Sequence, residues 1–257
     1  MNDIFGNRRN ISCENITIFA DERKNINNRW NYMGLVFIPT YNIQNAFNLL
    51  NKHRKAISYF NALKFSDLNK KGYGEKVDLA KAWLNEIIED GKQGRNNFYF
   101  KLLGLDKTKI NYSCFGNEKS EKGKYANIYN RFFRSALIGG LKYFFNFRNK
   151  ELIIDSIFHD SEGNLENHEY FDWHCIKKII SDSTGIKINH DKIKINHDKI
   201  IFVKSDHNIE PKYPFYSQFI QLVDILIGSI TYCIDYTNPR NNGQRIVSEL
   251  ILPLIDR

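Results

Sequence analysis

The order of apolar and polar positions divides the chain into strand-like and helix-like stretches. Asn15 to Ala20 (N-I-T-I-F-A) is a short β-rich run, closed by Asp21-Glu22-Arg23 and a polar turn through Asn28. Asn31 to Pro39 holds an unbroken apolar run from Tyr32 to Ile38, the pattern of a buried strand. These two runs predict an antiparallel pair. From Ile43 to Phe60 the apolar residues, among them Ala46, Phe47, Leu50 and Ile57, fall at helical spacing. Ala62 to Leu68 reads as another short strand. Glu75 to Glu89 predicts an amphipathic helix with Val77, Ala80, Trp83, Leu84 and Ile87 on its apolar face, ended by Gly91.

Further along, Asn97 to Leu105 predicts a strand and Asp106 to Lys124 a polar loop or small insertion. Tyr125 to Phe147 predicts a long aromatic helix, in which Gly139-Gly140 allows a bend or close packing. Glu151 to Ile154 predicts a strand leading into Asp155, with a turn from Asp160 to Asn164; Glu169 to Ile180 has a helical apolar face. Ile186 to Lys199 is the unit I-K-I-N-H-D-K written twice. Two such copies are too few for a solenoid. The segment therefore reads as a duplication carried in a surface hairpin or loop, with a metal site from His190, Asp191, His197 and Asp198 as the alternative. Ile200 to Lys204 predicts a last strand, Tyr216 to Ile234 a buried helix and Asn241 to Leu254 an outer helix. The sum is an α/β chain: one domain over residues 1–257, a central mixed sheet with helices on its faces, and loops or insertions near 105–124 and 184–199.

Composition narrows the partners. The chain has 257 residues and a formal net charge of +8, a basic surplus that favours phosphate-bearing polyanions such as DNA or RNA. The abundance of Lys beside Asn and Ile is also what AT-rich coding produces. Cys13, Cys114, Cys175 and Cys233 form no C-x-x-C pair, so reduced structural thiols are expected rather than a zinc ribbon or a disulfide framework. The N-terminus has no signal-like apolar region. The longest apolar stretch, Phe219 to Ile230, is interrupted by Gln221 and Asp224 and is too short to span a bilayer. A cytoplasmic protein without a membrane partner is the expectation. There is no phosphate-binding G-x-x-x-x-G-K-[ST] loop, no dinucleotide G-x-G-x-x-G after a strand and no G-x-S-x-G elbow.

The most informative stretch is Ser217 to Gly228, S-Q-F-I-Q-L-V-D-I-L-I-G. Ser217, Gln221, Asp224 and Gly228 fall at i, i+4, i+7 and i+11, one polar or small stripe on an otherwise apolar helix. A carboxylate on such a stripe needs a partner. Asp224 either faces a site, or accepts hydrogen bonds from a loop or pairs with an arginine. Asp21 and Asp155 each follow a strand-like run, and alternation sends Asp21 and its neighbour Glu22 to opposite faces. Carboxylates brought together from two strand ends and a buried helix can hold one or two Mg²⁺ or Mn²⁺ ions, which take oxygen ligands and serve phosphodiester cleavage. A catalytically weak module of the same fold, binding nucleic acid or a partner, and a structural protein whose acids only accept hydrogen bonds are the competing readings.

At these residues the chain resembles the DUF3800 family. I-T-I-F-A-D-E-R followed by Y-M-G-L-V-F-I-P is similar to its opening strands, L-K-F-S-D-L at 63–68 to a mid-chain element, and Ile154-Asp155 with Q-F-I-Q-L-V-D-I-L-I-G at 218–228 to its later strand and closing helix. The resemblance implies a ribonuclease-H-like fold and a metal-dependent nuclease role in antiphage or mobile-element settings, with a defence-system partner protein. It implies Asp21, Asp155 and Asp224 as metal ligands, Glu22 and Gln221 as further ligands or supporting groups, Lys64 as a phosphate- or water-orienting residue, and Asp67 as a fourth carboxylate. One position departs from the pattern: Arg23 stands where the family has a small or hydroxyl residue, adding bulk and charge beside the site.

Overall fold

A computed structural model describes residues 15–24, 29–95, 97–115, 120–145, 152–161, 193–195, 200–235 and 241–255. The expected helix at 169–180 and the histidines and aspartates of the repeat lie outside these residues. The strands are β1 (Asn15–Lys24), β2 (Trp30–Pro39), β3 (Tyr99–Asp106), β4 (Leu152–Asp160), β5 (Ile193–Ile195) and β6 (Ile201–Val203). The helices are α1 (Ile43–Ile57), α2 (Glu75–Gln93), α3 (Glu121–Phe144), α4 (Pro214–Asp235), α5 (Asn242–Glu249) and α6 (Leu252–Ile255).

The strands form one mixed sheet in the order β3-β2-β1-β4-β5, with β6 also pairing to β4. β2 runs antiparallel to both of its neighbours, β1 and β3, whereas β4 runs parallel to β1, and β5 and β6 run parallel to β4. Side-chain alternation on β1 and β2 then builds two cores. Phe19, Val36 and Ile38 face α1, α2 and α4 together with Trp83, Phe65 and Phe219. Ile16, Ile18, Ala20, Leu35 and Phe37 face α3, where Phe133, Leu137 and Leu141 cover them. The protein is thus a three-layer mixed α/β fold, a sheet flanked by helices on both faces.

Two glycines set how closely the helices approach. A Cβ on Gly34 would stand 2.4 Å from Ile227, so α4 rests directly on β2 beside Asp21, the residue that pairs with Gly34. On the other face a Cβ on Gly140 would meet the Phe37 ring at 2.3 Å, so Gly140, of the glycine pair in α3, serves close packing. α4 is long and apolar enough to cross a membrane by composition, but it lies 78% buried as the core helix of one layer.

Several boundaries differ from the pattern-based reading. β1 does not stop at Asp21 but pairs through Lys24. Gly91 lies inside α2, and the helix ends at Gly94, which takes the left-handed conformation (φ 64°) and donates to Asp90 and Gly91. β4 continues past Asp155 to Asp160. The segment at 62–68 is not a strand: it is extended chain ending in a 3-10 turn at Phe65–Asp67. Its alternation is real, with Leu63 and Phe65 buried, but its amides pair with side chains of α4 instead of a strand. Among the described residues, the expected polar loop after β3 holds 3-10 turns at Lys107–Lys109 and Tyr112–Phe115, and α3 begins at Glu121, where Ser120 caps the helix by accepting from the Gly123 N–H. The second copy of the repeat supplies β5, paired to Leu152, Ile153 and Ile154. The outer helix is two short helices, α5 and α6.

Candidate functional site

The register of β1 and β4 creates the site. Ala20 pairs with His159, so Asp21 and Asp160 follow side by side at the same end of two parallel strands. Parallel neighbours in register point the same way. Both acids belong to the face covered by α4, and α4, seated on Gly34, brings Asp224 to them. The three carboxylates act on one another. Burial pushes Asp21 well above the ordinary carboxylate value, and Asp160, Asp224 and Glu22 push it further; the Glu22 N–H, donating at 2.7 Å, acts against them. Burial also raises Asp160, with Lys64 and backbone N–H groups opposing and Asp224 adding to the rise. Asp224 is raised by burial, against the Phe65 N–H, Arg23 and Lys64.

Asp155 does not join this group. The register shifts between Ile16 and Thr17, so β1 pairs with Ile154 and then with Ser156, and Asp155 is the extra residue of a bulge. It accepts from the Asn15 side chain at 3.3 Å. Asp160 lies five positions further along the strand, roughly 16 Å at the usual rise. Asp160, and not Asp155, is thus the β4 acid that stands beside Asp21. The sequence carried the signal: Ile157-Phe158 continues the apolar run and ends in a second acid, Asp160.

Glu22 points to the opposite face, as alternation requires. The Tyr129 hydroxyl is hydrogen-bonded to both Glu22 and His159, and the buried His159 donates from Nδ1 to the Asp160 carbonyl at 2.7 Å. Glu22 is thus tied to α3, on the face opposite Asp21.

The polar stripe of α4 divides between two tasks. Gln221, fully buried, accepts from the Leu63 N–H (2.9 Å) and from Arg54 (2.6 Å), and donates to the Ser205 carbonyl (2.5 Å). It fastens the chain at 59–68 and the turn after β6 to the helix. Gly228 lets the Phe65 ring lie against α4, since a Cβ there would stand 2.2 Å from Phe65 Cγ. Asp224, at the open end, accepts from the Phe65 N–H at 2.7 Å and pairs with Arg23 at 3.8 Å. Lys64 is exposed and close enough to lower both Asp160 and Asp224. Asp67 lies at the rim in an exposed pair with Lys76 at 3.6 Å, near enough to raise Asp224.

The residue that pattern reading passed over is Arg54. The residue is 1% exposed, and its guanidinium donates to Gln218 (3.0 Å), Gln221 (2.6 Å) and the carbonyls of Tyr59 (3.3 Å) and Asn61 (2.8 Å), over the Trp83 ring at 4.9 Å. Burial lowers its pKa to about 10. Its partners are amide and carbonyl oxygens, so it anchors the chain that carries Lys64 to the helix that carries Asp224. An arginine in the last turn of a helix reads as a surface residue, and no local pattern distinguishes this one.

Oxygen donors that share one buried spot suit a hard divalent ion in type. Among the described residues no three acids, histidines or cysteines stand in ligating arrangement as they lie, so Asp21, Asp160 and Asp224 would have to turn toward one another to hold one. The fold and this acidic centre define a mixed α/β protein with three interacting carboxylates at the end of its parallel strands. The sequence matches no family model and no curated protein.

Proposed function

We propose that the protein is a ribonuclease-H-like, divalent-metal-dependent nuclease that cleaves phosphodiester bonds in DNA or RNA, acting in the cytoplasm in antiphage or mobile-element defence alongside a partner protein. The observation that carries this reading is the parallel register that sets Asp21 and Asp160 together beneath Asp224. The strand order, three antiparallel strands continued by parallel ones, supports the finer assignment of the fold. So does the resemblance at residues 16–23, 32–39 and 218–228. The basic surplus supports a phosphate-bearing partner.

In this reading Asp21, Asp160 and Asp224 would hold Mg²⁺ or Mn²⁺, which would supply an activated water and neutralise charge on the phosphate. The Phe65 N–H fixes one oxygen of Asp224. Gln221 and Arg54 hold the chain that presents Lys64, whose ammonium faces a substrate phosphate as a point charge. A second reading, a nucleic-acid-binding module with its acids neutralised internally, is favoured by the Arg23–Asp224 pair. Thermal unfolding with and without Mn²⁺, beside cleavage of mixed DNA and RNA substrates, separates the two. The nuclease reading expects Mn²⁺ to raise the Tm and Asp21→Asn or Asp160→Asn to abolish both the rise and the cleavage. No rise and no cleavage in the wild type leaves the binding module.

A further inference from the structure

Arg23 follows Asp21-Glu22 and returns, by alternation, to the acidic face. Its Nη1 stands 3.8 Å from Asp224 Oδ1, and its Cζ lies 4.9 Å over the Phe65 ring. At that distance the contact with Asp224 is an ion pair and not a hydrogen bond. The side chain is 27% exposed. Phe65 therefore organises both partners: its N–H donates to Asp224 Oδ2 at 2.7 Å, and its ring carries the guanidinium. A stacked guanidinium keeps its donor edges available, and its flat fork matches a phosphate better than an ammonium does.

This geometry places a monovalent cation against an oxygen that a divalent ion would need. We propose that Arg23 has two partners in turn: it is the counter-ion of Asp224 before an ion binds, and it becomes a phosphate-contacting residue once an ion takes Asp224. The inference rests on the metal-dependent reading above. Two consequences of opposite sign follow. Removing Arg23 favours the ion, because a competitor is gone, and disfavours nucleic acid, because a phosphate contact is gone. A residue that only packed against Phe65 would shift neither affinity in this crossed manner.

The experiment uses the full chain. Mn²⁺ is titrated calorimetrically into wild type, Arg23→Ala and Arg23→Lys without nucleic acid. Binding of a short fluorescent single-stranded phosphorothioate DNA, which resists cleavage, is then followed by polarisation with Mn²⁺ present. Arg23→Ala should bind Mn²⁺ about tenfold more tightly and the DNA about tenfold more weakly, the scale of one charge pair near a surface. Arg23→Lys keeps the charge and loses the fork: its Mn²⁺ affinity should stay near that of the wild type while DNA binding weakens. If Arg23→Ala folds poorly, Arg23→Met keeps an apolar stem over Phe65 and carries the same test. Unchanged or weaker Mn²⁺ binding by the neutral variant overturns the inference, as does unchanged DNA binding. A wild type that takes up no Mn²⁺ overturns the metal-dependent reading itself, a result distinct from the other two.

Discussion

Asp21 and Glu22 are neighbours in sequence and share almost nothing else. Asp21 faces α4 among Asp160 and Asp224, and the groups acting on it most strongly are its own burial and three other acids. Glu22 faces α3, where the Tyr129 hydroxyl is hydrogen-bonded to it and to His159. One side of the sheet concentrates negative charge; the other spends its acid on an aromatic hydroxyl and an imidazole. The difference shows how one step of strand alternation turns a paired motif into two separate devices.

The contrast can be broken at its anchor. On the acidic face, Arg54→Met removes the donors that join 59–61 to α4 and leaves Gln218, Gln221 and two carbonyls short of partners. We expect a loss of about 3 kcal/mol in urea unfolding, with Mn²⁺ response falling as Lys64 and Asp224 lose their common support. A loss below about 1 kcal/mol would mean that the anchor lies elsewhere.

The charge on that face gives the next effect. Asp21 has a folded pKa above its unfolded value, so between the two the folded chain binds more protons. Its contribution is therefore favourable at low pH and is lost as pH rises from the ordinary carboxylate range through the raised value. Acids lowered by their partners, such as Glu86 and Glu210, lose their contribution only below that range. His207, lowered chiefly by burial, acts in the opposite direction to Asp21. Comparing wild type with Asp21→Asn isolates Asp21. The variant should be more stable at pH 7.5 without metal, by about 1–2 kcal/mol, and the gain should shrink toward pH 4. A gain independent of pH would show that the acid is not under strain.

Tyr129→Phe probes the other face. It should cost about 1 kcal/mol, one buried hydrogen-bonded hydroxyl, and leave Mn²⁺ binding unchanged. A shifted Mn²⁺ affinity would reveal coupling through β1. Asp155→Asn should be the mildest, within about 0.5 kcal/mol and silent toward Mn²⁺; if it abolished metal binding, Asp155 and not Asp160 would be the ligand.

Much of this arrangement was legible in the chain. The buried run from Tyr32 to Ile38, the amphipathic pattern of α2 and the stripe on α4 each follow from periodicity, because a half-buried element must repeat with its own geometry. Opposite faces for Asp21 and Glu22 followed as well. What was hidden depends on long-range register. The bulge that sets Asp155 aside is a property of β1 and β4 together, and it leaves Asp160 as the acid beside Asp21. Leu63 and Phe65 alternate like a strand, yet their amides meet Gln221 and Asp224, partners more than 150 residues away. Arg54 looked like an ordinary helix-end arginine because its acceptors come from distant or irregular chain.

The tandem repeat has a genetic consequence. Because its two copies are identical, deleting either one yields the same polypeptide. In that shorter chain an Ile-Lys-Ile still precedes Asn-His-Asp-Lys and then β6, so the strand and its link onward survive by construction. Only the crossover from β4 to β5 loses seven residues, a change in loop closure worth a fraction of a kcal/mol. One unit more or less therefore leaves the residues of β5 unchanged.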